Sequence, residues 1–212
     1  MLYADVDALC KLAHWNVLPH LPELTSFPWD SIATVTSLRF RAQRCMERPD
    51  GKLFHSTDAA AEVITHMKLM AAATAPDPDI LAELSGLSQI DEGEAVLLSL
   101  TMGDPEGIFL TGDKRALRGL AHHRICPRFS ARVLVLEQIL AQCLRKYGRE
   151  WVSANFCPHK HIDKSVSAIL GSRCDATIES MLQGVRSYLS EIRRLHNPEI
   201  LYPLGDMAIE FE

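Results

Sequence analysis

Two short apolar runs that each lead into a carboxylate constrain this chain most. MLYA runs into Asp5 and GIFLTG runs into Asp113, and helical spacing follows each at once. After the first comes ALCKLAHW, with Leu9, Leu12 and Ala13 on one face; after the second comes DKRALRGLAHH. Strand–helix alternation of this kind predicts an α/β fold, a central parallel sheet with helices in three layers. In such open sheets functional groups gather beyond the carboxyl ends of the strands. Asp5 and Asp113 are therefore candidates for one site. Glu94, in the first turn of the intervening helix DEGEAVLLSLTMG, is the third. Three converging carboxylates repel one another and need a cation. Oxygen ligands favour a hard one, Mg2+ or Mn2+. Helix capping alone also suits some of these residues. Asp91 and Glu94 have capping-box spacing, Asp113 precedes a helix, and Asp7 is a first-turn acid.

The rest of the chain reads as follows. Pro19, Pro22 and Pro28 make a loop, and a helix over about 30–46 ends before the turn-like Arg48-Pro49-Asp50-Gly51. Ser56-Thr57-Asp58 caps a third helix, TDAAAEVITHMKLMAAAT, and DILAEL makes a short one after Pro76 and Pro78. Ser88-Gln89-Ile90 is strand-like. From about 129 the pattern is helical only, with long helices in FSARVLVLEQILAQCLRKYG and DATIESMLQGVRSYLSEIRRL. The loop between them carries NFCPHKHIDKS. The expected division is 1–128 for the α/β unit and 129–212 for a helical C-terminal extension.

Composition narrows the function classes. A net charge of −5 does not advertise a nucleic-acid binder, so only local basic patches could hold phosphates. Lys114, Arg115 and Arg118 follow Asp113 directly, and His122, His123, Arg124, Arg128 and Arg132 extend that patch. Arg39, Arg41, Arg44 and Arg48 form a second cluster, read as a solvated helix face. No run of about eighteen uninterrupted apolar residues occurs, so no membrane span is expected. The opening MLYADVDALC has no basic region and suggests a mature start at Met1. Six cysteines without paired spacing point to a reducing, cytoplasmic setting, with Cys10 and Cys143 as buried apolar residues. Cys157-Pro158-His159-Lys160-His161 contains metal-ligating residue types, which Cys174 or Asp163 could complete, but no second pair lies at zinc spacing. Trp15, Trp29 and Trp151 read as packing residues.

Three segments carry a family resemblance. MLYADVDAL, with Asp5, Asp7 and Leu9 in place, resembles the opening of PIN-domain nucleases. DEGEAVLLSL resembles the GEA-type segment bearing that family's second acid, here Glu94. FLTGDKRAL resembles the family's Thr-x-Asp segment, giving Thr111 and Asp113. The matches occur in order over about residues 1–125. The resemblance implies a PIN-like fold and a metal-dependent endoribonuclease. Asp5, Glu94 and Asp113 would be its catalytic and metal residues, with Asp7 and Thr111 in support. Lys114, Arg115 and Arg118 would lie on the RNA. It also implies a role as a toxin held by an antitoxin, or in RNA maturation, with another protein partner or a homodimer also open. Many members carry a further Asp after the third acid; Lys114, Arg115, Ala116 and Leu117 occupy that stretch here, leaving Asp104 or Asp7 as fourth-ligand candidates.

Two rivals remain. Asp5-Val6-Asp7 also suits a haloacid-dehalogenase-like phosphatase, although Ala8-Leu9 and Leu117 stand where that family has other residues. A catalytically inactive scaffold is the other. Its partner surface would be the stripe Met181, Leu182, Val185, Leu189 and Ile192, which is otherwise intrachain core.

Overall fold

A computed structural model describes residues 1–48, 53–196 and 199–204. The turn expected at Arg48-Pro49-Asp50-Gly51 falls outside them from residue 49 on. Five parallel strands form one sheet: β1 (Leu2–Ala4), β2 (Ile32–Thr34), β3 (Ala71–Ala72), β4 (Ile108–Thr111) and β5 (Val133–Val135), in the order β3-β2-β1-β4-β5. The helices, in chain order, are α1 (Val6–His14), α2 (Leu21–Thr25), α3 (Ser37–Glu47), α4 (Thr57–Met67) and α5 (Pro78–Ser85). Then follow α6 (Glu92–Gly103), α7 (Lys114–Ala121), α8 (Leu136–Phe156), α9 (Lys164–Leu170) and α10 (Ile178–Leu195). Every residue of β1, β2, β4 and β5 is buried, as in a parallel sheet covered on both faces. The three-layer α/β class expected from the alternation is thus the observed one.

The order of the strands positions the site. From β1 the chain moves outward to β2 and β3 on one side, then returns to β4 and β5 on the other. The crevice beyond β1 and β4 is therefore a topological switch point, where open sheets hold ligands. The register pairs Ala4 with Leu110, and the Asp5 amide extends the ladder to the Leu110 carbonyl at 2.8 Å. Gly112 keeps the end of β4 tight against α8, because a Cβ there would stand 2.5 Å from Leu136 Cδ1.

Three strands lie in segments whose pattern predicts helix. Residues 30–46 contain β2 before α3 begins, since the β-branched Ile32, Thr34, Val35 and Thr36 suit a pleated strand better. The alanine-rich end of the third helix stops at Met67, and Ala71–Ala72 pairs with β2 against its helix propensity. Val133-Leu134-Val135 forms β5 within the supposed long helix; periodicity cannot separate a short buried strand from a buried helix. The expected boundary at 128/129 thus precedes the last strand, so the sheet is completed by the part expected to be helical only. Ser88-Gln89-Ile90, expected as a strand, is a turn closed by the Ile90 amide on the Leu87 carbonyl. The proline loop holds α2 between short 3-10 turns.

The chain past β5 packs into the same hydrophobic core as the sheet. Gly148, at φ 82°, breaks α8 where the apolar pattern ends. Met181, Val185, Leu189 and Ile192 are buried and Leu182 packs against them, so that stripe is intrachain core. Residues 199–204 run along β5, with a bridge between Leu201 and Val133, and cover the sheet edge. Cys10 and Cys143 are buried thiols, and Trp15 is core. Cys157 and Cys174, expected to be reduced, form a disulfide across 17 residues. Among the described residues no helix is long and apolar enough to cross a membrane.

Candidate active site

The cleft at the β1/β4 switch point has a volume of 630 Å³, and Asp5, Glu94 and Asp113 all line it. Each arrives by a different local route. Asp5 follows β1 with extended backbone and starts α1, so the strand ladder fixes it. Asp113 caps α7, accepting from the Arg115 amide at 2.6 Å, while its own amide donates to Thr111 Oγ1 at 3.0 Å. Thr111 is fully buried and does not line the cleft; it sets the turn that presents Asp113. Glu94 lies in a true capping box. The Asp91 amide donates to Glu94 Oε2 at 2.9 Å, and the Glu94 amide donates to Asp91 Oδ1 at 2.8 Å. The capping readings of Glu94 and Asp113 hold, and the capped carboxylates also line the cleft.

Asp7, Asp91 and Glu92 line the same cleft, making six carboxyl groups around one opening. Burial first, then the charges of Asp7 and Asp91, push the Asp5 carboxyl up to about 7. Burial likewise raises Glu94 to about 8, with Asp5, Asp91 and Asp113 adding repulsion. Asp5 is 6% exposed and Glu94 2%. Asp113 behaves oppositely. Burial would raise it, but hydrogen bonds and charge from Arg115 hold it below the usual carboxylate range. Arg115 grips both Asp113 oxygens through Nε at 3.0 and 3.2 Å and through Nη2.

The acids of the cleft offer only oxygen, the donor type a hard divalent ion takes, and burial, with neighbouring carboxylates adding to it, holds Asp5 and Glu94 toward neutrality. Among the described residues no three His, Cys, Asp or Glu side chains already stand in ligating positions, so the carboxylates share a cleft and not yet one coordination point. Asp104 does not join them. It bonds the Met1 ammonium at 3.2 Å and the Tyr3 hydroxyl, beside the opposite end of β1. Asp7 is on the cleft but is also ion-paired with Lys11 at 2.7 Å.

The basic residues divide. Arg115 alone of its patch lines the acidic cleft. A smaller neighbouring groove, sharing Asp113 and Arg115 with the cleft, contains Lys114, Arg118, Lys164 and Tyr188. There Lys114 lies 3.1 Å from Glu137 and over the Tyr188 ring, and Arg118 pairs with Glu191 at 3.0 Å. Arg124 pairs with Glu83, and Arg132 bonds the carbonyls of Thr101, Asp104 and Gly107, so both serve the fold. Arg41, read as solvated, lines the cleft from α3, and Asp91, read only as a cap, lines it too. Arg41 could not have been singled out, because the missed β2 sets where α3 begins.

No protein-family model, curated protein or solved structure matches this chain.

Proposed function

We propose that this chain is a divalent-metal-dependent endoribonuclease of the PIN type. The observation that carries the reading is the meeting of Asp5, Glu94 and Asp113, joined by Asp7 and Asp91, in one cleft at the strand-order switch point. Asp5, Glu94 and Asp113 would hold Mg2+ or Mn2+, with Asp7 at the margin. An ion bound there supplies a water of lowered pKa and neutralises charge on the scissile phosphate. The chain's own part is positioning. Thr111 orients Asp113, the Asp91 amide orients Glu94, and the β-ladder orients Asp5. Arg115, on the cleft wall, with Lys114 and Arg118 in the adjoining groove, would take the RNA backbone. An antitoxin, another protein or a second copy of the chain would bind outside this cleft.

The cytoplasmic setting belongs to the same proposal and rests on the buried thiols of Cys10, Cys126 and Cys143, none of them in a disulfide. The Cys157–Cys174 bridge pulls toward an oxidising compartment.

A second reading, an inactive scaffold, is favoured by one observation: the Arg115 grip on Asp113, with no acid at 114–117 to share the load. Cleavage of labelled RNA with Mg2+ or Mn2+, mapped to the nucleotide, separates the two. Wild type should cut, and Asp5→Asn and Asp113→Asn should not. Equal cleavage by all three, or by none, would remove the nuclease proposal.

A further inference from the structure

Away from the acidic cleft, four histidines from three distant segments meet. Ring centres of His14 and His55 lie 5.5 Å apart, His14 and His159 5.5 Å, His55 and His161 5.6 Å, and His159 and His161 6.4 Å. His14 ends α1, His55 precedes α4, and His159 and His161 sit on the 3-10 segment Cys157–Ile162. That segment is held firmly against α1. Trp15 Nε1 donates to the His159 carbonyl at 3.4 Å, and the Trp15 ring stacks on Phe156 with centres 4.8 Å apart. Lys160 Nζ donates to the Gly171 carbonyl at 2.8 Å, and the Cys157–Cys174 disulfide closes the far side. The cysteine once considered as a ligand is thus a brace, and Asp163 is committed to Lys11.

The nitrogen donors are uncommitted. Among the described residues no group hydrogen-bonds the imidazoles of His55, His159 or His161. His14 is 4% exposed; its Nε2 accepts from the His55 amide at 3.2 Å, which puts the ring proton on Nδ1. That Nδ1 is buried without a hydrogen-bond partner, the Leu53 carbonyl favouring its proton without forming a proper bond. A buried donor lacking an acceptor costs free energy and calls for an explanation.

We infer that His55, His159 and His161 bind one borderline transition-metal ion, Zn2+ by preference, above His14. Imidazole nitrogen suits zinc, copper and nickel, and not the hard ions of the acidic cleft. With Zn–N bonds of about 2.0–2.1 Å, imidazoles on one zinc have ring centres about 5 Å apart. The His159–His161 pair needs to draw in by about 1 Å and the His55–His161 pair by less, which χ rotation of the exposed His55 and His161 supplies. Among the described residues no three such side chains stand where they could already hold a metal ion, so binding would have to draw the rings together.

The test uses the untagged full chain stripped with EDTA and titrated with Zn2+ alone by calorimetry, and with Co2+ followed by its visible absorption. Wild type should bind one equivalent of zinc and show tetrahedral cobalt bands. His55→Ala combined with His161→Ala, both at exposed positions that leave folding intact, should weaken binding at least tenfold. Asp5→Asn should leave zinc binding unchanged. Absence of saturable binding, unchanged affinity in the double histidine variant, or loss confined to Asp5→Asn would each overturn the inference.

Discussion

Asp5→Asn is the most informative single change, because it removes a charge that the fold itself disfavours. The Asp5 carboxyl is nearly buried, and burial together with Asp7 and Asp91 raises it from 3.8 to about 7. Between those values the folded chain keeps a proton that the unfolded chain has released. Stability therefore falls as pH rises through that window and levels off above about 7. At 1.36 kcal/mol for each pH unit, the full loss is about 4 kcal/mol. Water entry and local movement make this an upper figure. Asparagine keeps the shape and cannot ionise. Chemical denaturation from pH 4 to 8 should give nearly equal stabilities at the acid end, and an advantage for Asp5→Asn approaching about 4 kcal/mol at pH 8. Manganese should narrow that difference by stabilising wild type alone, by RT ln(1 + [Mn2+]/Kd). Parallel pH profiles for the two proteins, or a less stable variant at pH 8, would refute the reasoning.

Other outcomes follow from the same geometry. Arg115→Ala leaves an exposed pair broken, so stability should change by no more than about 1 kcal/mol, while Asp113 titrates closer to its ordinary value by NMR. Asp163→Asn removes the more buried of the two carboxylates on Lys11, at 2.8 Å, and leaves only the exposed Asp7 at 2.7 Å, so it should cost up to about 3 kcal/mol at pH 7 in denaturant melts. The Lys11 charge holds Asp163 below the carboxylate range, so the wild-type contribution should disappear as pH falls through that lowered value. Reducing Cys157–Cys174, which closes a loop of 17 residues, should lower stability by about 3 kcal/mol in thermal or denaturant melts.

The acidic constellation was legible because each carboxylate sits beside a signal with a local cause. Asp5 and Asp113 follow apolar strands, and Glu94 follows a cap at the spacing of a capping box. Arg41 and the histidine cluster were not legible. Their partners come from segments far apart in sequence, and nothing in a run such as His159-Lys160-His161 says that His14 and His55 will lie against it. The short strands β2, β3 and β5 were hidden for a different reason. Two or three residues give no period, and alanine and valine runs fit either element until neighbouring strands supply the hydrogen bonds.

By itself the sequence determined the α/β class, the caps that open α6 and α7, and which acids stand at strand ends, since these depend on contacts between near neighbours. The tertiary structure alone decided that β4 returns beside β1, and so that those acids share a cleft. Only it decided that Arg115 holds Asp113, that Asp104 lies at the other end of the sheet, and that Cys157 braces a histidine cluster. These are long-range pairings, set by how buried faces pack and not by any local pattern of residues.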